Sequence, residues 1–271
     1  MKVWVLGSGS RGNAVLIDAG GSRLLVDAGF APQILAQRLA AIEIAPESID
    51  ALIVTHEHTD HVRGARGGAD RFGWTIYGTA GTIVSARELR DAGAIPFRPG
   101  DPIAIGTLDL TTVTAPHDAA EPVIVIATDR RTGARAAVAY DIGCVTQPMS
   151  KALEDTDILV VEANHDEAML HHGPYPPVVR DRIAGRRGHL SNRAAAQLVR
   201  GVSHRGLKHV VLAHLSESCN TPALALSTVR EGIASVKFTG RVTAATQDGI
   251  VGPFEPGSKR PAAVQLDLGL L

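Results

Sequence analysis

The sequence predicts an α/β fold in which two mixed or mostly antiparallel β-sheets are covered on the outside by helices. Three observations carry this expectation. Short apolar runs of strand length recur along the whole chain. Gly- and Pro-containing turns and helical stretches separate them. The first half opens with strands and continues with helices, and the second half repeats that order. The 271 residues are 45% hydrophobic and 20% charged, enough to bury a sizeable core.

The elements follow in order. Residues 3–6, 14–18 and 23–27 read as a strand meander, broken by Gly7-Ser8-Gly9-Ser10 and Gly20-Gly21. Residues 34–42 have helical spacing, and Pro46 ends that helix. Residues 51–54 form a buried strand that delivers His56, and residues 78–93 contain a helical stretch. Residues 108–114, 123–128 and 135–140 read as strands, with Thr132-Gly133 turning the chain between the last two. A strand at 158–162 precedes a helix at 191–200 that Ser191 or Asn192 caps. A late strand at 210–213 delivers His214, and a helix covers 222–233. One domain is expected over residues 1–252. An irregular tail is expected over 253–271, where Pro253, Pro256, Lys259-Arg260 and Pro261 fall.

Composition narrows the class of protein. A formal charge of −1 gives no global basic field of the kind that marks nucleic-acid binders. Two cysteines, Cys144 and Cys219, exclude a disulfide scaffold and suit a reducing compartment. The opening Met1-Lys2-Val3-Trp4-Val5-Leu6-Gly7 has too short an apolar run for a signal peptide. No stretch approaches the ~20 apolar residues of a membrane span. A cytoplasmic protein with no membrane partner is expected. Its oligomeric state leaves no mark in the sequence.

The densest chemistry follows the strand at 51–54. Thr55-His56-Glu57-His58-Thr59-Asp60-His61 is an HxHxDH pattern, with His56, His58, Asp60 and His61 as potential metal ligands. Imidazole nitrogens and carboxylate oxygens bind Zn, Mn or Fe. The pattern can serve two metals if other segments complete each set. Later strand ends offer the candidates: His117 after Pro116, Asp141 after the strand ending at Tyr140, and His214 after Ala213. Each repeats one grammar, an apolar run followed by a ligand type. Strand ends line the ligand crevice in α/β folds.

On these residues the chain resembles the metallo-β-lactamase-fold hydrolase superfamily over roughly its whole length. Asp27 after an early strand, the HxHxDH segment, His117, Asp141 and His214 all match that family's motifs. The resemblance implies a four-layer αββα sandwich with a two-metal site at one sheet edge. It implies that His56, His58 and His117 hold one metal, that Asp60, His61 and His214 hold the other, and that Asp141 bridges them. Asp27 would stand behind the ligands and orient a histidine. Asp60 is a catalytic as well as a ligating position. Hydrolysis by a hydroxide between the metals is the reaction implied. Zn or Mn suits such a donor set, and Fe is compatible.

Three further segments are similar to the YycJ/WalJ-type subgroup, which implies a metal-dependent 5′ exonuclease acting on DNA. They are Gly7-Ser8-Gly9-Ser10-Arg11-Gly12-Asn13, then Glu162-Ala163-Asn164-His165-Asp166-Glu167 with Gly173-Pro174-Tyr175-Pro176, and Arg187-Gly188-His189-Leu190-Ser191-Asn192. The residues add support of their own. Between Arg180 and His209 lie eight basic residues (Arg180, Arg182, Arg186, Arg187, Arg193, Arg200, Arg205 and Lys208) against one acid, Asp181. Phosphate contacts from such a patch give sequence-independent binding. Arg186 and Arg187 precede the helix start at Ser191, and a helix N-terminus beside arginines attracts anions. Arg186, Arg187, Ser191, Asn192 and His165 are therefore the candidate substrate contacts. His189 is a candidate catalytic residue that touches the phosphate or protonates the leaving oxygen. Two bland readings stay open: a solvated helix face for Arg193, Arg200 and Arg205, and a structural hydrogen bond for His165.

A thioester or small-ester hydrolase resembling glyoxalase II shares these ligands and is the alternative function. A diiron redox relative would carry Glu at the second motif histidine, where this chain has His58. A binding protein with a dead site would have lost ligands, and here the set is complete.

Overall fold

The structure, a computed structural model, describes residues 1–257. The first half forms β1 (Lys2–Gly7), β2 (Ala14–Ala19), β3 (Ser22–Val26), β4 (Ala51–Ile53), β5 (Thr75–Thr79) and β6 (Ile95–Phe97). Its helices are α1 (Pro32–Ala40), α2 (Thr59–Val62), α3 (Ala65–Phe72), α4 (Ala80–Ser85) and α5 (Arg87–Asp91). The second half forms β7 (Ile103–Ile105), β8 (Leu108–Thr114), β9 (Val123–Asp129), β10 (Arg135–Ala139), β11 (Ile158–Glu162), β12 (His209–Ala213) and β13 (Arg241–Ala244). Its helices are α6 (Gln147–Leu153), α7 (Glu167–His172), α8 (Pro177–Ala184), α9 (Asn192–Val202) and α10 (Pro222–Gly232). β14 (Val251–Phe254) then returns to the first half.

Among the described residues these strands make two seven-stranded sheets, ordered β14-β1-β2-β3-β4-β5-β6 and β13-β12-β11-β10-β9-β8-β7. Both halves follow one plan. Antiparallel hairpins come first (β1-β2-β3 and β7-β8-β9-β10), and parallel strands are then added (β3-β4-β5-β6 and β10-β11-β12-β13). Parallel neighbours need crossovers, and these supply the helices that cover the outer faces.

Side-chain alternation along the strands sorts the core into layers. Val3, Val5, Val15, Ile17 and Val26 meet Val125, Val138, Val160 and Val211 between the sheets. The intervening Trp4, Leu6, Leu16, Leu25 and Leu52 face outward and pack on Leu35 and Leu39 of α1. On the other side Leu159, Val161 and Leu212 pack on Ala195, Leu198 and Val199 of α9 and Val229 of α10. Both faces of each sheet are buried, and the result is the expected helix–sheet–sheet–helix sandwich. Local signals fix the helix starts: Ser191 Oγ accepts from Ala194 N at the start of α9, and Thr221 Oγ1 accepts from Leu224 N with Pro222 at the first helical position of α10.

Some expectations shift. The helix expected at 34–42 starts earlier, on Pro32, and stops at Ala40, while Pro46 opens a short 3₁₀ turn, Pro46–Ser48. The tail expected to be irregular from residue 253 begins instead inside β14, which pairs Val3 with Phe254 and Val5 with Val251. Phe254 is 7% exposed within the inter-sheet core, so burying it favours the strand over an irregular path. As an edge strand, β14 tolerates Pro253. The rest of that tail, from residue 258, lies outside the described residues.

Candidate metal centre

The predicted ligands converge on one edge of the sandwich, where strands of both sheets end. Asp27 follows β3, His56 follows β4, His117 follows β8, Asp141 follows β10 and His214 follows β12, while Asp60 and His61 sit on α2. Asp27, Asp141 and His214 all take left-handed backbone, with φ of 60°, 55° and 54°. Such φ is uncommon for side chains with a Cβ, and it gathers at functional sites. Here the chain bends abruptly one or two residues past the end of each strand, at the sheet edge where the site lies. A side chain at Gly29 would place its Cβ 1.7 Å from the Asp60 carbonyl oxygen, so only glycine lets the β3 exit run against α2.

Two donor groups result. In the first, His56 Nε2 lies 3.1 Å from His58 Nδ1, and His58 Nδ1 lies 3.3 Å from His117 Nε2. In the second, Asp60 Oδ2 lies 3.3 Å from both His61 Nε2 and His214 Nε2. Asp141 stands between them, with Oδ2 3.1 Å from His61 Nε2 and Oδ1 3.6 Å from His117 Nε2.

The outer nitrogens decide which way the lone pairs point. His61 Nδ1 donates to Asp27 Oδ2 at 2.6 Å, His117 Nδ1 to the Gly188 carbonyl at 3.0 Å, and His214 Nδ1 to Glu162 Oε1 at 3.0 Å. Thr55 Oγ1 donates to Asp27 Oδ2 at 2.7 Å and so accepts from His56 Nδ1 at 3.1 Å. Four histidines thus spend their proton outward and turn an Nε2 lone pair inward, the arrangement that metal-ligating histidines use. Lone pairs and carboxylate oxygens packed this closely repel unless a cation or a proton lies among them. Asp141 Oδ2 is buried with no hydrogen-bond donor among the described residues. The donor set of imidazoles and carboxylates fits divalent ions.

The electrostatics agree. Burial opposes ionisation of Asp141 and Asp60, but the charges of His214 and His61 outweigh it and hold both carboxyls well below the usual range. Burial lowers His56 and His117. It also disfavours charge on His61 and His214, yet Asp60 and Asp141 push both upward, His214 to about 10. The carboxylates demand positive charge, which protons or metal ions can supply. Asp27 takes four donors: Thr55 N, Thr55 Oγ1, His61 Nδ1 and, at 2.8 Å, the hydroxyl of the buried Tyr140.

His189 faces this centre, with Nδ1 2.8 Å from Glu162 Oε1 and 3.4 Å from Asp141 Oδ1. Burial works against its charge, and Glu162 prevails and raises its pKa. Glu162 itself is fully buried, accepts from Ile142 N and Leu190 N, and supports both His189 and His214. Sequence reasoning gave Glu162 no role. The signal was there, since it ends the apolar run of β11 as Asp141 and His214 follow theirs. Asn13, whose Nδ2 donates to Asp60 Oδ2, was likewise missed, hidden in a glycine-rich turn.

A cleft of about 200 Å³ opens over the centre, lined by His58, Asp60, His117, Asp141, His189 and His214 together with Tyr175 and Arg182. The basic candidates divide. Arg182 reaches the cleft, where its Nε donates to Asp118 Oδ2, whereas the exposed Arg186 and Arg187 are not among its lining residues, and Arg187 Nε donates to the His117 carbonyl. Ser191 and Asn192 are not open to the cleft. The Ser191 hydroxyl caps α9 and donates to Glu167 Oε1, and Asn192, 1% exposed, exchanges hydrogen bonds with Asn220. Helix capping and core packing claim those two polar groups. His165 is 2% exposed and lies outside the cleft.

Two stacked mixed sheets with a histidine and aspartate centre at their common edge are the architecture of a metal-dependent hydrolase. The family model described as metallo-beta-lactamase superfamily matches residues 7–191, and the chain belongs to that superfamily. Among curated proteins it is similar to the exodeoxyribonuclease WalJ of Streptococcus pneumoniae, 31% identical over 240 residues that cover 86% of this chain and 88% of that protein. It matches the exodeoxyribonuclease YycJ of Bacillus anthracis at 31% identity, over 86% of this chain and 89% of that one. Among solved structures, the metallo-beta-lactamase fold protein YhfI from Bacillus subtilis superposes with a TM-score of 0.66 at 18% identity, covering 92% of this chain and 98% of its own. That likeness concerns the fold.

Proposed function

We propose that the protein is a metal-dependent exodeoxyribonuclease that hydrolyses DNA phosphodiester bonds. The observation that carries this reading is the pair of donor groups joined by Asp141, with His189 and the Arg182–Asp118 ion pair lining the cleft over them. The two relatives named as exodeoxyribonucleases support the substrate. The resemblance of the segments at 7–13, 162–176 and 187–192 to the YycJ/WalJ-type subgroup supports 5′ polarity. Zn or Mn is the metal this donor set suits best.

His56, His58 and His117 would hold one ion, Asp60, His61 and His214 the other, and Asp141 both. Bound there, the ions would supply hydroxide at neutral pH and offset the charge developing on the phosphoryl group. The protein's own residues do the rest. Asp27, Thr55, Glu162 and the Gly188 carbonyl hold the histidines in the ligating tautomer. His189, whose pKa Glu162 raises, would give its proton to the leaving oxygen. Arg182, its Nε held by Asp118, would offer its remaining guanidinium N–H groups to the phosphate. Among the described residues no helix is long and apolar enough to cross a membrane. The sparse cysteine content supports a reducing, cytoplasmic location.

The test incubates metal-loaded protein with end-labelled single- and double-stranded DNA, RNA and a thioester control. Stepwise shortening of DNA from the 5′ end is expected, lost in His58→Ala and Asp141→Asn proteins that keep the wild-type circular dichroism. Thioester turnover without DNA cleavage would sink the nuclease reading.

A further inference from the structure

A second cavity, of about 270 Å³, lies across α8 from the cleft. Arg182 and Ile183 line the cleft, whereas Asp181 and Ala184 line the cavity, and Asn164 and His165 divide in the same way. A helix and one turn of chain are the common wall, roughly 10 Å thick.

The cavity's chemistry is unusual for a void. His165 is 2% exposed, and its Nδ1 has no hydrogen-bond partner among the described residues. A buried polar nitrogen left so is the kind of group a ligand satisfies. Burial lowers the His165 pKa, so the imidazole is neutral. Leu170, 4% exposed, and Ala184 contribute apolar surface. Glu167, Asp181 and His171 also line it; Glu167 is engaged by Ser191 Oγ and Arg193, whereas the Asp181 carboxylate has no hydrogen-bond or ion-pair partner among the described residues. Arg180 also lines the cavity, but its guanidinium is committed to the His171 carbonyl. A neutral imidazole and the unpartnered Asp181 carboxylate disfavour a phosphate. They suit a flat heteroaromatic ring that donates hydrogen bonds through amino groups, as cytosine N4 donates to Asp or Glu.

We infer that this cavity binds one unstacked, amino-bearing nucleobase of the strand whose neighbouring phosphodiester lies in the cleft. The inference rests on the nuclease reading. Guanine, adenine and cytosine would be accepted and thymine disfavoured, so digestion would pause in thymine runs.

The test measures binding to metal-loaded protein of single-stranded tetranucleotides with hydrolysis-resistant methylphosphonate linkages. One position carries guanine, thymine or no base. Guanine is expected to bind about tenfold tighter than the other two. In Ala184→Trp, at an exposed site where folding is safe, and in Asp181→Asn, the difference should fall below twofold. Equal binding of all three probes to wild type, or full preference in Ala184→Trp, would overturn the inference. Cleavage assays on natural DNA separate the two readings. Cleavage without base preference removes only the cavity's role, and base preference without cleavage removes only the nuclease reading.

Discussion

Asp27 shows how much one side chain can organise. It is fully buried, accepts four hydrogen bonds, and through His61 and Thr55 orients a histidine from each donor group. Asp27→Asn keeps the shape but points an amide N–H₂ at donors. Metal affinity should drop 10- to 100-fold, as for other residues that orient ligands, read by competition with a chromophoric chelator. Tyr140→Phe removes one of the four donors and should cost only about 1 kcal/mol in urea unfolding. The same residues set a pH dependence. His61 and His214 carry pKa values pushed up by Asp60 and Asp141, so metal must displace protons that these histidines hold more tightly than usual. Apparent affinity should rise with pH, about tenfold per unit for each proton displaced, while ligand protons remain bound. Affinity flat between pH 6 and 8 would refute this assignment of charge.

At the scale of elements, most strands that feed the site were legible in the sequence. β8 and β11 run as read, and β9, β10 and β12 differ by a residue at one end. Their apolar runs are of strand length, rich in β-branched residues and bounded by turns, and that combination marks them. β5, β6, β7, β13 and β14 were not legible. They are short, and all but β7, which forms a tight hairpin with β8, become strand through pairing with neighbours farther along the chain. The α7–α8 pair was unread as well, because its sequence lacks a clean apolar stripe. Helix ends followed local chemistry. Thr221 caps α10, and Thr221→Ala should lower stability by about 1 kcal/mol while leaving kcat unchanged, measured on the same preparation.

For the whole molecule, the centre ties the two sheets together. His56, His58, Asp60 and His61 come from the first sheet's connections, and His117, Asp141 and His214 from the second. Metal binding should therefore stabilise the fold as a unit. Chelation is expected to lower the Tm, and metal at 100 times its Kd should restore about 2.7 kcal/mol. A Tm indifferent to chelator would place the metal elsewhere. The sheets' own packing is independent of the centre. Leu25→Ala, at a residue with no exposure under α1, should cost about 2–5 kcal/mol with or without metal.

The sequence by itself determined the fold class and the donor set. Short continuous apolar runs specify strands buried on both faces, and a ligand type after each run marks the edge where they end. It could not decide which polar residues face the site. Arg182 rather than Arg186 lines the cleft, Asn192 turns to Asn220, and Glu162 supports His189, because orientation depends on how α8, α9 and β11 pack against one another. That packing is made of contacts between residues far apart in the chain, and one sequence carries no record of them.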